Sequence, residues 1–159
     1  MSISTLPTPS TLDADADNAI IESALNILHS RMTLPDTYIT SPQDCKNYLK
    51  LKLAEKEHEI FAVLFLDTRH GIIKISEMFR GTIDGSSVHT REVVKEALAC
   101  NAAAIILVHN HPSGISDPSE ADKMITKRLK DALALVDIRV LDHLIIGADI
   151  VSFTERGLL

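Results

Sequence analysis

Two short runs along the chain contain no polar position at all, Ile60 to Leu66 and Ala103 to Val108. Both are rich in residues favoured in strands, and their length suits strands covered on both faces. Around them the pattern alternates between strand-like and helix-like stretches. Asp67 to Gly71 reads as a turn, and Ile72 to Phe79 as a second strand closing a hairpin with the first. Thr90 to Cys100 has helical spacing, with Val93, Val94, Ala97 and Leu98 predicted to face inward. Residues 109–118 read as a loop, Ser119 to about Val136 as a helix, and Ile138 to Ile146 and Ile150 to Phe153 as strands.

Upstream of Glu59 the pattern is helical. Asp13 to about Met32 carries Ile20, Ile21, Ala24, Leu25 and Leu28 on one stripe, with Asp13, Asp15 and Asp17 in its early turns. That stripe is expected to pack on the rest of the chain rather than to form a partner surface. A loop around Pro35 follows, and Ser41-Pro42 has the N-cap and first-turn chemistry to open a second helix to about Lys56. The expected organisation is a disordered tail at 1–12, a helical segment at 13–56 and an α/β (α+β) domain at 57–159, with a mixed sheet flanked by helices.

Composition narrows the function classes. The 159 residues hold 16 basic and 22 acidic side chains, a net charge of −6, so overall basicity supplies no reason to bind nucleic acid. Residues 1–40 carry five acids and one base. Aromatics are 4% and Trp is absent, which leaves few platforms for stacking bases. Cys45 and Cys100 belong to no metal-type cluster and fit a reducing compartment. No apolar run approaches the ~18 residues of a membrane span, and no secretory signal is evident.

The chemistry concentrates in His109-Asn110-His111-Pro112-Ser113-Gly114 and Pro118-Ser119-Glu120-Ala121-Asp122. An extended i, i+2 pair directs the His109 and His111 imidazoles to one side. Placed at ~100° per residue, Asp122 shares a helix stripe with Ile125, Leu129, Leu133 and Val136, whereas Lys123, Lys127 and Lys130 fall opposite. A carboxylate on the core side needs a partner. Two histidines and an aspartate form a set that zinc accepts tetrahedrally with one position left for water. Ser119-x-x-Asp122 is also a capping-box pattern. The two roles are compatible for Ser119 and compete for Asp122. A general base is also required, and Glu55, Glu57 and Glu59 all stand near the first strand.

His109-x-His111-Pro112, followed by Ser119-x-x-Asp122, resembles the JAMM metalloprotease motif of the JAB/MPN superfamily. AVLFLD at 62–67, FRGTIDG at 79–85, HNHPSG at 109–114, PSEAD at 118–122 and DHLIIG at 142–147 look like its RadC branch. The resemblance runs from Glu59 to the C-terminus. It implies a JAB/MPN-like curved mixed sheet flanked by helices and one Zn2+ per chain on His109, His111 and Asp122. It further implies Glu59 as the base and Ser119 as the group that polarises the substrate carbonyl. The activity implied is cytoplasmic hydrolysis of a peptide or isopeptide bond in a protein or peptide substrate. The alternative is a non-catalytic or DNA-repair-associated RadC-like binding module.

Two departures stand out. Similar chains read His-Pro-Arg-Glu where this one has His89-Thr90-Arg91-Glu92, with Thr90 expected to act as an N-cap. They also carry a helix-hairpin-helix region that needs a glycine hairpin, and no glycine precedes Gly71 here. Asp142 is a candidate acceptor for a ligand histidine, His143 a packed or surface residue, and His89 with Arg91 either a groove wall or a helix start. Lys123, Lys127, Arg128 and Lys130 read as a solvated face rather than a nucleic-acid site.

Overall fold

Strand pairing gathers the apolar runs into one five-stranded mixed sheet. The computed structural model describes residues 14–33, 42–81 and 87–159. The elements are α1 (Ala14–Thr33), α2 (Pro42–Leu53), β1 (Ile60–Leu66), β2 (Ile72–Arg80), α3 (Thr90–Ala99), β3 (Ala104–Asn110), α4 (Glu120–Ala134), β4 (Arg139–Ile146) and β5 (Ile150–Ser152). The sheet order is β2-β1-β3-β4-β5. β1 is antiparallel to both β2 and β3, β3 and β4 are parallel with α4 crossing between them, and β5 returns antiparallel to β4. The expected tail at 1–12, Asp13, the loop around Pro35 and the Ser41 cap lie outside the described residues.

Every residue of β1 is buried, because helices cover both faces of the sheet. Ile60, Ala62, Leu64 and Leu66 join Ala104 and Val108 of β3 against Cys45, Tyr48, Leu49 and Leu53 of α2. Phe61, Val63 and Phe65, one position out of phase, join Ile105 and Leu107 against Val93 and Ala97 of α3 and Leu129 and Leu133 of α4. The two-residue period of the strand thus builds two cores from one run. α1 packs outside α2 through Leu25 and Leu28, while Ile20 remains 68% exposed. Among the described residues no helix is long and apolar enough to cross a membrane.

Several expectations need correction. β3 runs on through His109 and Asn110, which the loop reading excluded. His109 pairs with Phe61 on one side and Ile145 on the other, so the ladder outlasts the apolar run. α4 ends at Ala134, which leaves Val136 outside the helix and exposed. Its buried stripe runs Asp122, Thr126, Leu129, Leu133. Leu98 is 54% exposed rather than inward, because Val93 and Ala97, with Val94 partly buried beside them, cover that stretch of the sheet. His89, not Thr90, is the N-cap of α3; it makes no side-chain cap bond. Thr90 sits one residue inside, and its buried Oγ1 has no hydrogen-bond partner among the described residues.

Candidate metal centre

The end of β3 and the start of α4 meet at one point. His109, on the last turn of ladder, is 1% exposed and stacks on Phe61, with ring centroids 6.0 Å apart. His111 lies just beyond the strand, where its backbone N–H donates to Ile146 O at 2.8 Å. The two imidazoles face each other, with Nε2 atoms 2.9 Å apart. Asp122 reaches both from α4: its Oδ1 lies 3.1 Å from His109 Nε2, and its Oδ2 lies 3.5 Å from His111 Nε2. A tetrahedral zinc with bonds of ~2.0–2.1 Å sets its ligand atoms about 3.3 Å apart. Distances of 2.9, 3.1 and 3.5 Å straddle that value, so the three side chains fit one small cation.

Asp122 also resolves the competition between its two readings. Ser119 caps α4 by accepting from Asp122 N at 3.1 Å, and Asp122 Oδ2 accepts from Ser119 N at 2.7 Å. A carboxylate has two oxygens, and Oδ1 remains for His109. Burial pushes the Asp122 carboxyl up, but the neighbouring His109 imidazole and the two bonds at Ser119 outweigh it. The net result holds its pKa well below the usual carboxylate range, so Asp122 stays anionic.

Each histidine is tied at its other nitrogen. His111 Nδ1 donates to Ile115 O at 2.6 Å. His109 Nδ1 lies 2.8 Å from Nε2 of His143. His143 is fully buried against Phe153 and Phe61. Burial, followed by the neighbouring His109, holds its pKa well below the ordinary value, so it is neutral. Its Nδ1 lies 2.6 Å from Thr126 Oγ1, which is in turn 2.5 Å from Asp122 O. Of the two readings of His143, packed or surface, the packed one holds. Asp142, the candidate acceptor, points away, as strand alternation requires. It takes bonds from His143 N at 2.7 Å, Ser152 Oγ at 2.6 Å and Thr154 N at 3.0 Å.

Asn110, 1% exposed, points to the other side of β3 from the two histidines. Its Oδ1 accepts from Ile60 N at 2.7 Å and its Nδ2 donates to His58 O at 3.1 Å. Those two residues flank Glu59, whose own carbonyl accepts from Gly81 N at 2.8 Å. The antiparallel register that pairs Phe61 with His109 carries Glu59 to the level of His111. Glu59, Ser119, His111 and Asp122 all line one open groove of about 1400 Å³, and Glu57 shares its wall. His89 and Arg128 line it too, so His89 serves as both helix start and groove wall. On the solvated side of α4, Lys123 pairs with Glu120 at 2.6 Å and Lys127 with Asp131 at 2.5 Å.

Sequence reasoning missed two contributors, Thr126 and Asn110, and the tie of a third, His143, to His109. Thr126 carried a signal, as the polar member four residues after Asp122 on a stripe that continues through Leu129 and Leu133. His143 stands in an otherwise apolar strand stretch. Asn110 offered none, being hidden between the two histidines.

A sequence profile described as RadC-like JAB domain matches residues 39–158. A UPF0758 protein of Vibrio cholerae serotype O1 is 55% identical over 143 residues, covering 90% of this chain and 90% of that protein. Another from Thioalkalivibrio sulfidiphilus is 56% identical over 141 residues, 89% of this chain and 63% of its own length. A third, from Nitrosococcus oceani, is 61% identical over 122 residues, 76% of this chain and 54% of its own. The chain thus spans less than two thirds of the latter two.

Proposed function

The chain belongs to the RadC-like JAB domain family, and on that premise we propose that it is a zinc-dependent hydrolase of peptide or isopeptide bonds. The observation that carries this reading is the convergence of His109, His111 and Asp122 beside a groove that also presents Glu59 and Ser119. Three protein ligands with one position left over is the arrangement of catalytic rather than structural zinc sites.

His109 and His111 would hold the metal through Nε2, and Asp122 through a carboxylate oxygen. Bound there, zinc supplies Lewis acidity that brings the pKa of water towards ~7 and polarises a carbonyl. The carboxylate of Glu59 takes the proton of the attacking water and passes it to the leaving amine. Ser119 Oγ accepts from Asp122 N, a bond that does not consume its hydroxyl proton. That proton is donated to the oxygen on which negative charge develops. Phe61, Val88 and Ile125 give the groove apolar wall against which a polypeptide segment lies. A protein or peptide is therefore the substrate class, in preference to nucleic acid.

The test is cleavage of quenched peptides and isopeptide-linked conjugates by the zinc-loaded chain, beside Glu59→Gln. Zinc-dependent cleavage that Glu59→Gln abolishes while keeping its metal is the expected result. A fully loaded chain that cleaves none of them would return the fold to a non-catalytic binding module.

A further inference from the structure

We infer that Thr126 and His143 form a relay that sets the proton on His109 Nδ1 and so leaves Nε2 as the nitrogen free to take a cation. The inference rests on the metal reading above and deepens it, because neither residue would touch the metal.

The direction of the relay follows from what each atom can do. Asp122 O is a carbonyl and can only accept, so the hydrogen in its 2.5 Å contact comes from Thr126 Oγ1. A hydroxyl has one proton, and Thr126 has now spent it on the carbonyl four residues back. Oγ1 must therefore accept in its 2.6 Å contact with His143 Nδ1, which places a proton on that nitrogen. A neutral imidazole with Nδ1–H has a lone pair at Nε2. That lone pair lies 2.8 Å from His109 Nδ1, which therefore donates. His109 is left with Nε2 directed at His111 and Asp122.

Burial makes the arrangement strict. His143 is 0% exposed and Thr126 2%, so water cannot replace a missing partner. Phe153, Phe61 and His109 enclose the His143 ring and oppose its turning over. His111 reaches the same end by a shorter route, its Nδ1 donating directly to Ile115 O. Two unrelated tethers thus present two Nε2 atoms to one point. Ligand orientation by a partner on the far nitrogen is the general way such sites hold a metal.

Thr126 and His143 are positioning residues, and the experiment reads positions as well as affinity. Ring-nitrogen NMR on the metal-free chain assigns the His143 tautomer, and zinc titration gives the dissociation constant. The variants are Thr126→Val, which keeps shape and removes the hydroxyl, and Thr126→Ser, which restores it. Wild type is expected to carry the His143 proton on Nδ1. In Thr126→Val the proton moves to Nε2 and the zinc dissociation constant rises roughly ten- to a hundredfold. Thr126→Ser recovers both. A proton on His143 Nε2 in wild type would overturn the relay without any variant. So would a Thr126→Val chain that keeps the wild-type tautomer and binds zinc within twofold of wild type. If wild type bound no zinc, the proposed function would fail, and the tautomer alone would still decide the relay.

Discussion

Replacing Asn110 by Ala removes a side chain that joins β3 to the entry of β1. Asn110 is 1% exposed and Ile60 is 4% exposed, so both groups sit away from water. The substitution deletes the 2.7 Å bond from Ile60 N and the 3.1 Å bond to His58 O. Two such bonds are worth about 0.5–1.5 kcal/mol each in net terms. Leaving the buried Ile60 N–H without its acceptor adds a desolvation cost of about 1–3 kcal/mol. The terms overlap, and a loss of about 2–4 kcal/mol is expected. Urea unfolding of the metal-free chain measures it, with the m-value unchanged. Asn47→Ala is the reference: Asn47 is exposed on α2 with Gln43 as its partner among the described residues, so the change stays within about 0.5 kcal/mol. The variant also frees the backbone on both sides of Glu59, so the hydrolysis proposed above is expected to slow without loss of the proposed zinc. If Asn110→Ala were as mild as Asn47→Ala, the clamp would have no energetic content and the argument that it positions Glu59 would fail.

Other positions give independent checks. A Cβ on Gly147 would stand 2.6 Å from Gly114 O and 3.0 Å from Ser116 N, so Gly147→Ala pushes the loop that carries Ile115 O. A stability loss of about 1–3 kcal/mol is expected, with weaker zinc binding in a titration, and unchanged affinity would contradict the role given to that loop. Thr90→Pro removes the orphaned hydroxyl at a first-turn position that suits proline, and a gain of about 0.4–1 kcal/mol should appear as a higher melting temperature. Burial raises the Cys45 thiol from 9.0 to about 11. The folded chain then holds a proton that the unfolded chain releases, so this contribution is intact below pH 9 and is lost as pH rises towards 11. It amounts to about 3 kcal/mol, and the alkaline slope of urea stability should flatten in Cys45→Ala; an identical slope would refute it.

Much of this fold was legible because β1 and β3 are covered on both faces, and a buried strand writes itself as an unbroken apolar run. The helices were legible by period, but their ends were not. Val136 continues the stripe of α4 by angle, yet the helix stops at Ala134, which spacing alone does not register. Hydropathy ended β3 too early, because His109 and Asn110 are polar residues kept in the ladder by partners on both neighbouring strands. The site was legible where ligand-type residues are close in sequence: His109, His111, Ser119 and Asp122 lie within fourteen positions. Its support was not. His143 comes from the parallel neighbour of β3, brought in by the α4 crossover, and Asn110 acts across strands on residues 58 and 60. Such pairings depend on register, which no local pattern encodes. At Asp122 the spacing sets a capping box against a metal ligand; the box is formed through Oδ2, and Oδ1 still faces His109.

The central claim is that His109, His111 and Asp122 hold one zinc. Elemental analysis of the purified chain after equilibration with zinc tests it most directly, beside His109→Ala and Asp122→Ala. About one zinc per chain, lost in both variants while each remains folded, is the predicted result. A folded wild-type chain that retains no zinc would contradict the account.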